Sequence, residues 1–267
     1  LGELSSTPLA LILSLHTRKP NYTQHIRELY AGIDIGSTAV HAVLVDSDRN
    51  IMYQCQPVMH FGSIEDAIEE TWSALRLGAG GSNISGTAYT GEGARYLRSA
   101  RYRSCFIQES IAIPTGSAVI LPQIEYVFHI GAKYSYFFQV GNLHGRLVIK
   151  QWRSNSRCGS GAGILIEKQC RRLFTDEVPF VPGSDMRPDD RNREKMTRRQ
   201  SRLEQMLALA EQRIAASTET GWFKGRCGVV LQTDLIHKQN EGVAKQDNLA
   251  CLFRTIARNY FSDLLGG

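Results

Sequence analysis

A chain of 267 residues, 42% hydrophobic and 21% charged, can build one large α/β domain or two modest ones, each with its own core. Much of its formal net charge of +5 sits in one run, RPDDRNREKMTRRQSR (residues 187–202), which lacks the interleaved aromatics of a base-stacking groove, so no nucleic-acid partner is expected. The early apolar run LALILSL is too short to cross a bilayer and lacks the basic flank and cleavage site of a secretory leader, so a cytoplasmic chain without a membrane role is expected. None of the six cysteines has C-x-x-C spacing, and free thiols are the default.

Residues 1–30 show no clear periodicity and read as a leader or linker. AGIDIGSTAVHAVLVDSDRNIMYQCQPV then alternates apolar residues and turns at DSDRN, the pattern of a β-hairpin or meander. Ser63 and Asp66 resemble a capping box that opens a helix with Ile64, Ile68, Thr71 and Leu75 on one face. TAYTG reads as a short strand entering the Gly-rich turn GEGAR. SAVILP, IEYVFHIG, SYFFQV and RLVIKQW read as further strands. NSRCGSGAG is a Gly-rich loop, followed at once by the helix ILIEKQCRRLF. After a Pro-rich stretch at 175–192, a long helix is predicted from about Glu194 to Ala216, with Leu203, Met206, Leu207, Ala210 and Ile214 on one stripe. CGVVLQ reads as a buried strand, and Leu249, Leu252, Phe253, Ile256, Tyr260 and Leu264 as the apolar face of a last helix. Strands and then a helix occur twice, an internal echo that suggests two related halves.

Two constellations could carry chemistry. In GIDIGST a strand ends in Asp34 and a turn brings Gly36, Ser37 and Thr38 around one concavity. That is either a phosphate cradle, with Asp34 holding Mg²⁺ through water, or an ordinary hairpin turn. In NSRCGSGAGILIEK, Cys158 precedes Gly159, Gly161 and Gly163 at a helix N-terminus, where anions are favoured and thiol pKa falls. The alternatives are a buried or merely exposed thiol, or a Gly-rich loop that contacts nucleotide.

The order GIDIGST, TGEGAR, NSRCGSGAGILIEKQ and RCGVVLQTDL resembles the ATPase activators of 2-hydroxyacyl-CoA dehydratases and benzoyl-CoA reductases, over about residues 31–265. These belong to the actin-like ATPase superfamily. The resemblance implies an α/β, ribonuclease H-like fold of two βββαβα-type halves, with subdomain I at 31–127 and subdomain II at 128–267. It implies bound ATP and Mg²⁺, cradled by the first loop (Gly36, Ser37, Thr38) and a second loop at His129–Ala132 that includes Gly131. It also implies a homodimer or tandem pair, and an acyl-CoA dehydratase or reductase component as partner. The family shares a [4Fe–4S] cluster between subunits, two cysteines from each, and uses ATP hydrolysis to drive a low-potential electron into the partner.

The chain departs from this pattern at defined places. Cys158 matches one cluster ligand, but Ala112 stands where the other would be, and Cys105 lies a few residues upstream. His129 replaces the Asp that opens the second phosphate motif. A neutral imidazole is a poorer Mg²⁺ ligand than a carboxylate, though it titrates near neutrality and could act as a base. Tyr134 and His41 replace an acidic residue and a Lys common in the family. The sequence stops at DLLGG, so a second half lacking the final adenosine-binding segment is expected. The expected function is ATP-gated electron transfer into the partner; the alternative is a non-hydrolysing copy with a scaffold or partner-binding role.

Overall fold

The structure, a computed structural model, describes residues 28–96, 105–155, 162–179 and 188–266. Residues 1–27 of the expected leader, and Cys158, Gly159 and Gly161, lie outside the described residues. The first sheet is built from β1 (Leu29–Ile35), β2 (Ala39–Asp46), β3 (Ile51–Gln54), β4 (Val58–Met59), β5 (Ile84–Thr90) and β6 (Cys105–Phe106). Its order is β3-β2-β1-β5-β6, with the short β4 pairing with β2. The β1–β2 and β2–β3 pairs are antiparallel, whereas β5 returns parallel to β1 after the crossover helix α1 (Ile64–Gly78).

Alternation fixes which face of this sheet is covered. Leu29, Ala31, Ile33 and Ile35 of β1 point to one side, where Ala67, Ile68 and Leu75 of α1 close the first core. Gly32 and Asp34 point to the other side. The predicted face of α1 is therefore the buried one. Ser63 occupies the N-cap position but makes no side-chain bond to the helix backbone; its hydroxyl donates to Asp66 Oδ2 at 2.5 Å, so the capping-box residues meet side chain to side chain.

The second sheet is antiparallel, in the order β7 (Tyr126–Ile130), β8 (Ser135–Leu143), β9 (Arg146–Ser154). Helix α2 (Glu109–Ile120) joins the sheets and packs against the second, where Ile113 and Ile124 meet Val127, Phe138 and Val140. Four helical elements follow: α3 (Ala162–Phe174), α4 (Pro188–Ala215), α5 (Gly228–Asn240) and α6 (Lys245–Tyr260), which runs into a π-turn at Phe261–Leu265. Leu165, Leu173, Phe174, Met206, Leu235 and Leu252 form their common core. No helix among the described residues is long and apolar enough to cross a membrane.

Several expectations are corrected. SAVILP is not a strand: its first four residues, 117–120, are the last part of α2, and Pro114 and Gly116 lie inside the helix and hide it from a propensity-based reading. CGVVLQ is not a buried strand but the start of α5. There Cys227 is the N-cap, its Sγ accepting from Val230 N–H at 3.5 Å, and the helix buries Leu231 and Leu235 while Val229 stays 77% exposed. The β-branched pair thus marks the outside of a helix. GEGAR is largely a 3₁₀ turn, Glu92–Tyr96, and α4 begins at Pro188 rather than Glu194.

Candidate functional site

A cleft of about 480 Å³ opens where the ends of the two sheets face each other. Asp34, Gly36, Ser37, Thr38 and His41 line one wall; His129, Gly131, Ala132, Lys133 and Tyr134 line the other; Glu92 and Glu109 contribute carboxylates. The sequence-predicted residues Asp34, Gly36, Ser37, Thr38, His129 and Gly131 are thus brought together. Gly163 lies behind the second loop, at the start of α3. A Cβ on it would sit 2.6 Å from Ala132 Cα, while Ile164 N–H donates to Ala132 O at 3.1 Å.

Asp34 is at the C-terminal end of β1, opposite His41 on β2 and Thr90 on β5. The strand alternation that buries Ile33 and Ile35 aims Asp34 into the cleft. Its Oδ1 is buried with no hydrogen-bond partner, and Thr90 Oγ1 is in the same condition. Burial pushes the Asp34 carboxyl above the usual Asp range, against the opposing pull of His41 and His129. An unpartnered buried carboxylate oxygen beside an unpartnered hydroxyl is a costly arrangement that a hard cation would relieve. These oxygen donors fit Mg²⁺ carrying its own waters and phosphate ligands. Among the described residues, no cluster of three or more His, Cys, Asp or Glu side chains is placed to hold a metal without such help.

The second loop is a tight turn. Gly131 N–H donates to Tyr134 O at 3.0 Å, and a Cβ at Gly131 would lie 2.4 Å from that carbonyl oxygen. Asn155, buried after β9, supports it: Asn155 Oδ1 accepts from Ser135 N–H at 2.9 Å, and Asn155 N–H donates to Ser135 O at 3.1 Å. His129 lies beside Tyr136 on the same face of β7–β8, with ring centroids 6.0 Å apart. Burial lowers the His129 pKa more than Asp34 raises it, so the imidazole is neutral at neutral pH.

Glu109, in the first turn of α2, was not singled out in the sequence. Tyr136 Oη donates to Glu109 Oε2 at 3.1 Å. Burial raises the Glu109 pKa, and the nearby Asp34 and Glu92 raise it further, against the lowering effect of the Tyr136 bond. The phenol of Tyr136 is pushed well above its ordinary range, chiefly by burial, so it remains a donor. The signal for Glu109 was an acid one residue ahead of the apolar run IAIP, a helix-start pattern. Ala112, one turn on, is half-buried on the wall of an adjoining apolar groove that shares Asp34 and His41 with the cleft, and it offers no donor atom to iron.

No family model matches the sequence, and no curated protein matches it. Among solved structures the fold is similar to component A of (R)-2-hydroxyglutaryl-CoA dehydratase from Acidaminococcus fermentans, with 19% identity, 88% of this chain and 77% of that one covered, and a TM-score of 0.63. It is also similar to the activator of 2-hydroxyisocaproyl-CoA dehydratase from Clostridium difficile, determined with bound ADPNP, with 18% identity, 88% and 74% covered, and a TM-score of 0.60. At these identities the likeness establishes the fold alone: the chain is a mixed α/β protein that shares the fold of these two proteins.

Proposed function

We propose that this chain binds ATP with Mg²⁺ between its two loops and acts as an activator-type ATPase domain toward an acyl-CoA dehydratase or reductase component. One observation carries the nucleotide assignment: Asp34, with a buried, unpartnered oxygen, ends the strand that leads into Gly36-Ser37-Thr38 and faces the second tight loop across the cleft. Gly36 N–H is used to close the first turn onto Ala39 O at 2.9 Å, so Ser37 and Thr38 are the residues of that loop left to donate to phosphate. Asp34 would hold the Mg²⁺ shell, with Thr90 next to it on the neighbouring strand, and the cation would neutralise charge on the transferred phosphoryl group. Glu109, with its raised pKa and its tether to Tyr136, is suited to accept a proton from an attacking water. His129, neutral and lacking carboxylate character, contributes a hydrogen bond rather than metal binding.

On this reading the lobes on either side of the cleft are taken as subdomains I (31–127) and II (128–267), a division that falls within β7 (Tyr126–Ile130). The partner class is suggested by the two similar structures, both of which serve dehydratases. The cluster is a different matter. With Ala112 in place of a thiolate, a homodimer would offer only two Cys158 ligands to a cubane that takes four, so no electron-transfer step is assigned to it. Isothermal calorimetry of ADPNP with and without Mg²⁺ tests the binding claim. Micromolar binding that needs Mg²⁺ in the wild type, and loses that need in Asp34→Asn, supports it. Binding indifferent to Mg²⁺ and to Asp34 refutes it. Phosphate release by the wild type but not by Glu109→Gln would assign hydrolysis; binding without phosphate release in either would favour the scaffold role.

A further inference from the structure

Residues 57–62 of the first lobe do not end at the sheet; they reach across to the helices of the second. The two-residue strand β4 pairs with Ala39–Val40 on its inner side. On its outer side the neighbour is a side chain, Gln200 of α4. Met59 N–H donates to Gln200 Oε1 at 3.2 Å, and Gln200 Nε2 donates to Pro57 O at 2.9 Å. The amide thus offers one acceptor and one donor to an open strand edge, as the next strand would. A further bond from Gln200 Nε2 to Glu204 Oε1, at 3.0 Å, fixes which end of the amide points where.

Two residues on, Phe61 adopts a left-handed backbone, φ 45°, which a bulky residue takes only where its surroundings hold it. Two guanidinium groups lie over its ring, Arg171 of α3 at 5.5 Å and Arg199 of α4 at 5.9 Å from the ring centroid. Between these grips, His60 N–H donates to Thr38 O at 3.1 Å, in the first phosphate loop. At the far end of α3, Ile164 N–H donates to Ala132 O, in the second. A continuous path therefore runs from Thr38 through His60 and Phe61 to Arg171, and along α3 to Ala132.

We propose that residues 57–62 form an inter-lobe clasp on the α3–α4 pair, which holds the cleft closed and opens as one unit with both phosphate loops. Its link to ligand occupancy rests on the nucleotide assignment above; its mechanical part does not. Hydrogen exchange on the full chain tests the mechanical part without ligand, in the wild type, Gln200→Ala, Phe61→Leu and Phe61→Tyr. The two loss variants are expected to speed exchange about tenfold at the Met59 amide, and also at Gly131 and Ile164, which neither substitution touches. Phe61→Tyr, which keeps a ring for both guanidiniums, should behave as wild type. Unchanged exchange in α1 separates opening from unfolding. An increase confined to 57–62, or none at all, overturns the clasp.

Calorimetry with ADPNP and Mg²⁺ then reads the coupling. Gln200→Ala should bind about fivefold more weakly, because part of the binding energy is used to close the cleft. Equal affinity in wild type and variant overturns the coupling. A wild type that binds no nucleotide overturns the nucleotide assignment, and the exchange result still decides the clasp.

Discussion

Gly91 follows β5 at φ +91°, a conformation L side chains avoid. A Cβ there would lie 2.4 Å from Ile35 O, 2.7 Å from Ile35 C and 2.5 Å from Asp34 Oδ1. Gly91→Ala must therefore pay twice. The left-handed backbone costs about 1–2 kcal/mol. The contact is with backbone and a buried carboxylate rather than the far end of a flexible chain, so the strand end has to move, at about 1–3 kcal/mol for overpacking. The sum is about 2–5 kcal/mol. Gly80 supplies the control: φ is +56°, with nothing within 4 Å of its would-be Cβ, so Gly80→Ala bears the conformational part alone. Urea unfolding at constant slope reads both variants. The expected gap between them is at least about 1 kcal/mol, with Gly91→Ala also weakening nucleotide binding through a displaced Asp34. Equal destabilisation by the two substitutions would mean that the β5 turn does not press on Asp34, and the description of the site would fail.

Three further outcomes follow from the same geometry. Burial raises the Asp34 pKa above its unfolded value, so the folded state holds that proton more tightly; the resulting stability is full below the unfolded carboxyl pKa and is lost as pH rises through the folded one. Asp34→Asn should therefore make the ligand-free chain more stable at neutral pH and flatten its stability across the acid range, as read by thermal unfolding from pH 4 to 7. Cys227 caps α5 with a weak sulfur acceptor, so Cys227→Ser should stabilise the chain by about 0.5–1 kcal/mol in urea unfolding. Tyr136→Phe removes the one bond that lowers the Glu109 pKa. If Glu109 takes the proton from water, the acid limb of the ATP-hydrolysis pH profile should move to higher pH in this variant.

The sheets and the two facing loops were legible because their signals are local. Alternation over AGIDIGSTAVHAVLV places Asp34 on the face opposite Ile33 and Ile35, and the turns at Gly36 and Gly131 need short residues within three positions. Period-2 patterning likewise located the β7–β8–β9 meander. The helices were harder where their chemistry departs from average. Helix α2 carries no single apolar stripe and contains Pro114, and α5 turns its valines outward. Glu109 and Tyr136 are 27 residues apart, and only the packing of α2 on the second sheet brings them together. The clasp is more distant still. Gln200 sat within a run read for its charge and as part of a helix, and what it does depends on an amide meeting a strand edge 141 residues away. The described part of that run is occupied with its own chain: Arg202 donates to Val178 O and Thr175 O, at 2.9 and 3.2 Å.

The most direct test of the nucleotide site is a crystal structure of the chain with ADPNP and Mn²⁺, using the metal's anomalous signal to place the cation. The account predicts one peak within water-bridged reach of Asp34, with the phosphates between Ser37-Thr38 and the Gly131 turn. A nucleotide seated elsewhere, or a peak remote from Asp34 with the cleft left empty, would contradict it.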